Sequence, residues 1–122
     1  MIKIPDTLQE VFNIVSLHLL TQIKRCLAIY PDRMYPVCSY RNEDGMKCAA
    51  GALIPDDEYR PEMEKNDWKQ LVEKEFVETH FSNEIRELQQ IHDSNSENDI
   101  DFLKTELVKF ATKYNLTHNI EV

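Results

Sequence analysis

Cys38-Ser-Tyr-Arg-Asn-Glu-Asp-Gly45-Met-Lys-Cys48-Ala-Ala-Gly51-Ala-Leu-Ile-Pro55-Asp56 holds both glycines of the 122-residue chain and two of its three cysteines. Glycine used so sparingly marks special backbone. Asp44-Gly45 suits the positive φ values of a tight hairpin turn. Val37 to Arg41 is therefore predicted as one strand and Met46 to Ile54 as its return, extended or bending near Gly51. The flanking segments carry helical periodicity. The fold class predicted is α+β and helix-dominated, one compact domain over residues 1–122. Four to five helices surround one small β-hairpin near residues 37–52.

Upstream, Thr7 and Glu10 form a capping-box pattern ahead of Leu8, Val11, Phe12, Val15, Leu19, Ile23 and Leu27. Spacings of three and four predict a first helix of about five turns with one buried face. Leu17, Leu20 and Cys26 lie off that stripe, so the helix is expected to be covered on two sides. Pro31 and Pro36 bracket an irregular connection. Its bulky Tyr30, Met34 and Tyr35 predict that it folds down onto the domain. Downstream, Pro55-Asp56-Asp57-Glu58 predicts a short helix start. Asn66-Asp67 caps a pattern through Trp68, Leu71, Val72 and Phe76, and Ser82-Asn83 opens another through Ile85, Leu88 and Ile91. After the polar break at residues 93–98, a last helix begins near Asp99, with Leu103, Leu107, Phe110, Ala111 and Tyr114 inward and Asn115 as its terminator.

The composition is 42% hydrophobic and 30% charged, which is globular. No apolar run approaches the roughly 20 residues that span a bilayer. Met1-Ile-Lys-Ile-Pro-Asp6 enters an amphipathic pattern without a leader-like apolar stretch, so a cytoplasmic location away from the membrane is expected. An odd number of cysteines in such a chain predicts reduced thiols. A Cys38–Cys48 bridge would need the hairpin register to set the two opposite each other. The net charge is −8, with twelve acids against six basic groups after residue 65. That balance argues against direct nucleic-acid binding and suits a solvated face or a basic protein partner.

Four constellations could carry chemistry. Cys48 and His92 are the candidate nucleophile and base. Asp93 is expected to point away from its neighbour His92, because adjacent helix positions do not share a face. Cys38, Cys48 and His92 could be imagined as zinc ligands, but structural zinc sites draw on closely spaced ligand pairs that are missing here, so no metal is assigned. Arg41, Lys47 and the turns at Gly45 and Gly51 could hold a small anion such as a nucleotide, although no phosphate-loop or dinucleotide fingerprint is present and no cofactor is implied. Asp56, Asp57, Glu58, Glu62 and Glu64 lack the alternating spacing of a calcium loop. They suit a docking face for a basic groove, with Trp68, Tyr30 and Tyr35 as aromatic anchors.

The run Cys38-x-Tyr40-Arg41-x3-Gly45-x-Lys47-Cys48-Ala49-x-Gly51-x-Leu53-Ile54-Pro55-Asp56-x2-Tyr59 resembles a pattern in a family of small bacteriophage, prophage and proteobacterial proteins. Met63-Glu64, Leu88-Gln89-Gln90-Ile91-His92-Asp93 and Tyr114-Asn115-Leu116 extend the resemblance over nearly the whole chain. Ala52 stands where that pattern usually has another cysteine, which weakens a metal role for a third thiol. Lys65 stands where glycine often follows Met-Glu. The resemblance implies an accessory gene product acting inside a bacterial host cell and supplies no mechanism.

The function expected is therefore stoichiometric binding to a host or phage protein, including inhibition of a host enzyme or defence system. Tyr40, Arg41, Lys47, Asp56, Asp57 and Tyr59 are the expected contact residues. The alternatives are a small-anion binder and a cysteine-dependent hydrolase using Cys48 and His92. The sequence leaves the oligomeric state open.

Overall fold

In a computed structural model, which describes residues 1–32 and 34–122, four helices and four two-residue strands fold around one apolar cluster. In chain order these are β1 (Ile2–Lys3), α1 (Leu8–Gln22), β2 (Leu27–Ala28), β3 (Val37–Cys38), α2 (Trp68–Glu73), β4 (Val77–Glu78), α3 (Ser82–Ser94) and α4 (Ile100–Lys113). Short 3₁₀ turns occupy Gly51–Leu53 and Pro61–Lys65. The α+β, helix-dominated class holds. No helix among the described residues is long and apolar enough to cross a membrane.

Helix α1 buries Val11, Phe12, Val15 and Leu19 against α3, α4 and the Gly51 turn. Phe12 stacks on Phe110 of α4 with ring centroids 5.9 Å apart. Ile85 and Leu88 of α3 and Leu107 and Ala111 of α4 complete the interface. The N-terminus is tied down by parallel pairing of β1 with β4, Ile2 opposite Val77.

Local signals account for most helix ends. The Thr7 hydroxyl accepts the Glu10 N–H, and Asp67 with Gln70 forms a reciprocal capping box. Asp99 caps α4, and Asn115 at φ 57° lets the Leu116 N–H reach the Ala111 carbonyl, closing the helix. Phe76 lies outside α2, because Glu75 at φ 61° reverses the chain and sends the Phe76 N–H to Leu71.

Helix α1 stops at Gln22 and does not continue to Leu27. Ile23 sits at φ 66°, ψ −47°, and the Lys24 N–H bonds the Gln22 carbonyl, a tight γ-turn that is strained for a β-branched residue. The reversal frees Leu27 and Ala28 to become a strand. Val37 and Cys38 pair with those two residues, Leu27 opposite Cys38, and not with Met46 onward. The Asn42–Gly45 turn does form, closed by a bridge between Arg41 and Lys47, with Gly45 at φ 77°. Beyond Cys48 the chain folds into the Gly51 turn, where a Cβ would lie 2.3 Å from the Tyr40 carbonyl oxygen.

Three further expectations are corrected. Of the bulky residues between β2 and β3, Tyr30 is half-buried and lines a groove with Arg41 and Tyr59, whereas Ile29, Met34 and Tyr35 are 82, 97 and 73% exposed and project beyond the core. Pro55–Glu58 is a single turn in which the Glu58 and Tyr59 N–H groups share the Pro55 carbonyl, and the helical turn comes later at Pro61. Of the three residues off the main stripe, Leu17 is exposed, Leu20 packs partly against the core, and Cys26 is buried beyond the end of α1.

Candidate functional site

Two polar networks gather the residues that the sequence singles out. The first is organised by Glu64, carried on the turn that Pro61 begins. Its carboxylate accepts the backbone N–H groups of Tyr40 (2.9 Å) and Arg41 (3.0 Å) and the Tyr59 hydroxyl (2.5 Å). Arg41 donates to Asp56 Oδ1 and to the Ile54 carbonyl, both at 2.5 Å, and lies 4.9 Å from the centroid of the Tyr59 ring. Lys47 Nζ also reaches Asp56 Oδ1 at 3.1 Å. Hydrogen bonds from Lys47 and Arg41 hold the Asp56 carboxyl below its ordinary range. The Tyr40 hydroxyl donates to the Asn66 carbonyl.

Tyr40, Arg41, Lys47, Asp56 and Tyr59 thus come together, and Asp57 stays outside this network. Arg41 and Lys47 are both engaged by Asp56, so an anion entering here would compete with a carboxylate already in place. The backbone of Lys47 is anchored as well. Gln22 accepts its N–H and donates to its carbonyl, and His18 Nε2 donates to the same carbonyl at 2.8 Å.

Burial lowers the pKa of His18 below 6.5, against the opposing pull of its Lys47 hydrogen bond. Between its folded value and 6.5 the unfolded chain binds more protons, so stability falls as the pH falls through that window. Urea midpoints should therefore decline from pH 7 to about pH 5, and His18→Gln should flatten that part of the profile. Parallel profiles for the two proteins would refute the assignment.

The second network centres on His92, 2% exposed near the end of α3. Its Nε2 accepts the Cys26 N–H at 2.9 Å. A backbone N–H only donates, so that nitrogen carries a lone pair and the ring proton resides on Nδ1. Nδ1 donates to Asp93 Oδ1 at 2.8 Å, which also takes the Gln89 amide N–H at 2.8 Å. Asp93 therefore does not turn away from His92: in the last turn of the helix its carboxylate collects donors from one and four residues back. Burial works to raise the Asp93 carboxyl, but bonds from His92, Cys38 and Gln89 prevail and keep it low. Gln89 Oε1 accepts the Ala50 N–H, linking this centre to the Gly51 turn. Asn95 Nδ2 donates to the Ile23 carbonyl and holds the strained reversal.

All three cysteines are free thiols, with no Cys38–Cys48 bridge. Cys48 is buried and its sulfur accepts the Gly51 N–H, while both nitrogens of His92 are engaged elsewhere. Burial pushes the Cys48 thiol up, far from the thiolate a nucleophile requires. Cys38 is exposed as a residue, but partial desolvation of its sulfur first, and then its bond to Asp93, push the thiol up to about 12.

The chain matches no family model, no curated protein and no solved structure.

Metal binding can be tested against the same geometry. Donor atoms of Cys38, His92 and Asp93 lie within 4.8 Å of one another, so Asp93 replaces Cys48 in the imagined set. A metal on Nδ1 would require His92 to give up that proton. Moving it to Nε2 would set two N–H groups against each other at Cys26. The donor set does not suit a cation.

Gln22 and Asn95 are organising residues that sequence reasoning does not single out, while Glu64 is read there only as part of an acidic docking face and Gln89 only as part of the resemblance. Gln89 and His92 stand three apart within one short segment, which was the only local hint of their partnership.

Proposed function

We propose that the chain acts by stoichiometric binding to a protein partner, with the β2–β3 tip as the contact surface. The observation that carries this is the outward display of Ile29, Met34 and Tyr35 on a loop held by two strands. Large apolar groups clustered at such exposure commonly mark an interaction site.

A groove of about 480 Å³ runs from Ile29 and Tyr30 to Arg41 and Tyr59, bordered by Glu43 and Asp44. These two acids make no ion pair among the described residues. The rim favours a partner with basic groups around an apolar contact. The resemblance to phage-type proteins supports a bacterial target, such as a host enzyme that the chain would inhibit. The internal pairing of Arg41, Lys47, Cys48 and His92 favours binding over the anion-binding and hydrolase alternatives.

The test is a tagged pull-down from bacterial lysate at moderate salt. The wild type should recover one partner in stoichiometric amount, and a chain carrying Ile29→Ser, Met34→Ser and Tyr35→Ser should recover at least ten-fold less, the effect of losing about 1.4 kcal/mol. The substituted side chains are exposed, so the fold should persist with an unchanged melting temperature. Undiminished recovery by the triple variant would refute the assignment of the tip.

A further inference from the structure

Helix α1 carries one charged residue, Glu10 in its first turn, in a chain of which 30% is charged. Residues 11–23 contain no Asp, Glu, Lys or Arg, and neither do residues 114–120. The fold brings these two uncharged runs together. Gln9 Nε2 donates to the Thr117 carbonyl and Gln9 Oε1 accepts the Thr117 N–H, both at 2.9 Å, which ties the segment after α4 to α1. Between them runs a groove of about 500 Å³ with Phe12, Leu17, Leu20 and Ile120 as its apolar lining and no Asp, Glu, Lys or Arg. The concave regions beside Trp68, Met63, Tyr30 and Phe102 each carry two or three carboxylates.

The same face supplies a knob. Leu17 lines the groove yet is 70% exposed, and Ile14, one turn before it on the same side of the helix, is 41% exposed. A patch that holds both a groove and a projecting side chain can meet itself across a two-fold axis. The charges at its ends fit that pairing. Exposed Glu10 and Lys24 stand seven residues before and seven after Leu17, and neither makes an ion pair among the described residues. With two copies of α1 antiparallel and Leu17 near the axis, Glu10 of each faces Lys24 of the other. Elsewhere, copies of net charge −8 present acids to one another and repel.

We infer that the chain forms a two-fold dimer through α1, each Leu17 seated in the groove of the other copy. A helix of 15 residues is only about 22 Å long. The interface is accordingly small and the association weak, with a dissociation constant of about 10–100 µM. The inference does not rest on the β2–β3 tip as a docking site.

Sedimentation equilibrium of the full chain from about 1 to 300 µM tests it. The wild type should show a reversible monomer–dimer equilibrium. Leu17→Lys should weaken it about 100-fold and Leu17→Ser about ten-fold, because each substitution acts twice in a dimer. Both should melt as the wild type does, since the position is exposed. Glu10→Lys and Lys24→Glu should each weaken the dimer about five-fold, the worth of two exposed pairs, and the double exchange should restore it. The chain with Ile29→Ser, Met34→Ser and Tyr35→Ser should dimerise like the wild type.

A monomer throughout that range would overturn the inference. So would a dimer indifferent to both Leu17 substitutions, one abolished by the triple substitution at the tip, or a double exchange that fails to recover the loss.

Discussion

Replacing Gly51 by alanine is expected to cost about 3 kcal/mol or more in unfolding free energy. The new Cβ would sit 2.3 Å from the Tyr40 carbonyl oxygen and 3.1 Å from its carbon. Neither backbone can step aside cheaply. The Tyr40 carbonyl accepts the Cys48 N–H, the Tyr40 N–H is held by Glu64, and the Ala50 N–H is held by Gln89. Relief of the clash must therefore break bonds in both networks.

Gly45 provides the internal comparison. Its φ of 77° strains any L side chain, but a Cβ there meets nothing within 4 Å. Gly45→Ala should cost only about 1–2 kcal/mol. Urea unfolding of the two variants checks the order, and for a chain of this size the Gly51 variant should melt about 10 °C or more below the wild type. A Gly51 variant as stable as the Gly45 variant would mean that the close approach is not what requires glycine.

His92→Ala is expected to destabilise by about 3 kcal/mol or more. It leaves the Cys26 N–H without an acceptor and Asp93 without its imidazole donor, and it opens space in a fully buried position. A residue retained for chemistry at the expense of stability commonly behaves in the opposite way, its removal leaving stability unchanged or raised. Unfolding curves for the variant therefore distinguish a scaffold role from a catalytic one. The substitution should also loosen the Ile23 region, because the Cys26 N–H bond lies three residues beyond that strained turn. Faster amide exchange at residues 23–28 is the expected signature.

The elements whose causes are local were legible in the sequence. Apolar spacing and the caps Asp67 and Asp99 place α2, α3 and α4, and Asp44-Gly45 places the turn. The end of α1 was not legible, because Ile23 and Leu27 continue the apolar spacing at helical intervals. What stops the helix is His92 and Asn95, 66 and 72 residues away from the atoms they bond.

The same long-range cause hid the strand partner. Leu27 and Ala28 become available to Val37 and Cys38 only once the helix has ended. Tyr35 and Met34 read as core because they are large, and no local signal says that their loop points outward.

Within the candidate site, Arg41, Lys47, Asp56 and Tyr59 stood out through residue type and the turn between them. Glu64 read as one acid of a docking face for a basic groove, although it fixes the Tyr40 and Arg41 backbone. Its role depends on the Pro61 turn bringing it against a segment 23 and 24 residues earlier. Side chains chosen for reactive chemistry prove to be bonded to one another or to the backbone, which shifts attention from the interior to the exposed surface.

The bonds that engage Cys48 and both nitrogens of His92 make this region a scaffold. Timed alkylation of the native protein, with each thiol resolved by peptide mass, separates that role from a reactive centre. Cys38, the exposed thiol, should react first and slowly, while Cys26 and Cys48 should react only on unfolding. Rapid native labelling of Cys48 ahead of Cys38, slowed by His92→Ala, would contradict the account and establish an activated nucleophile at that position.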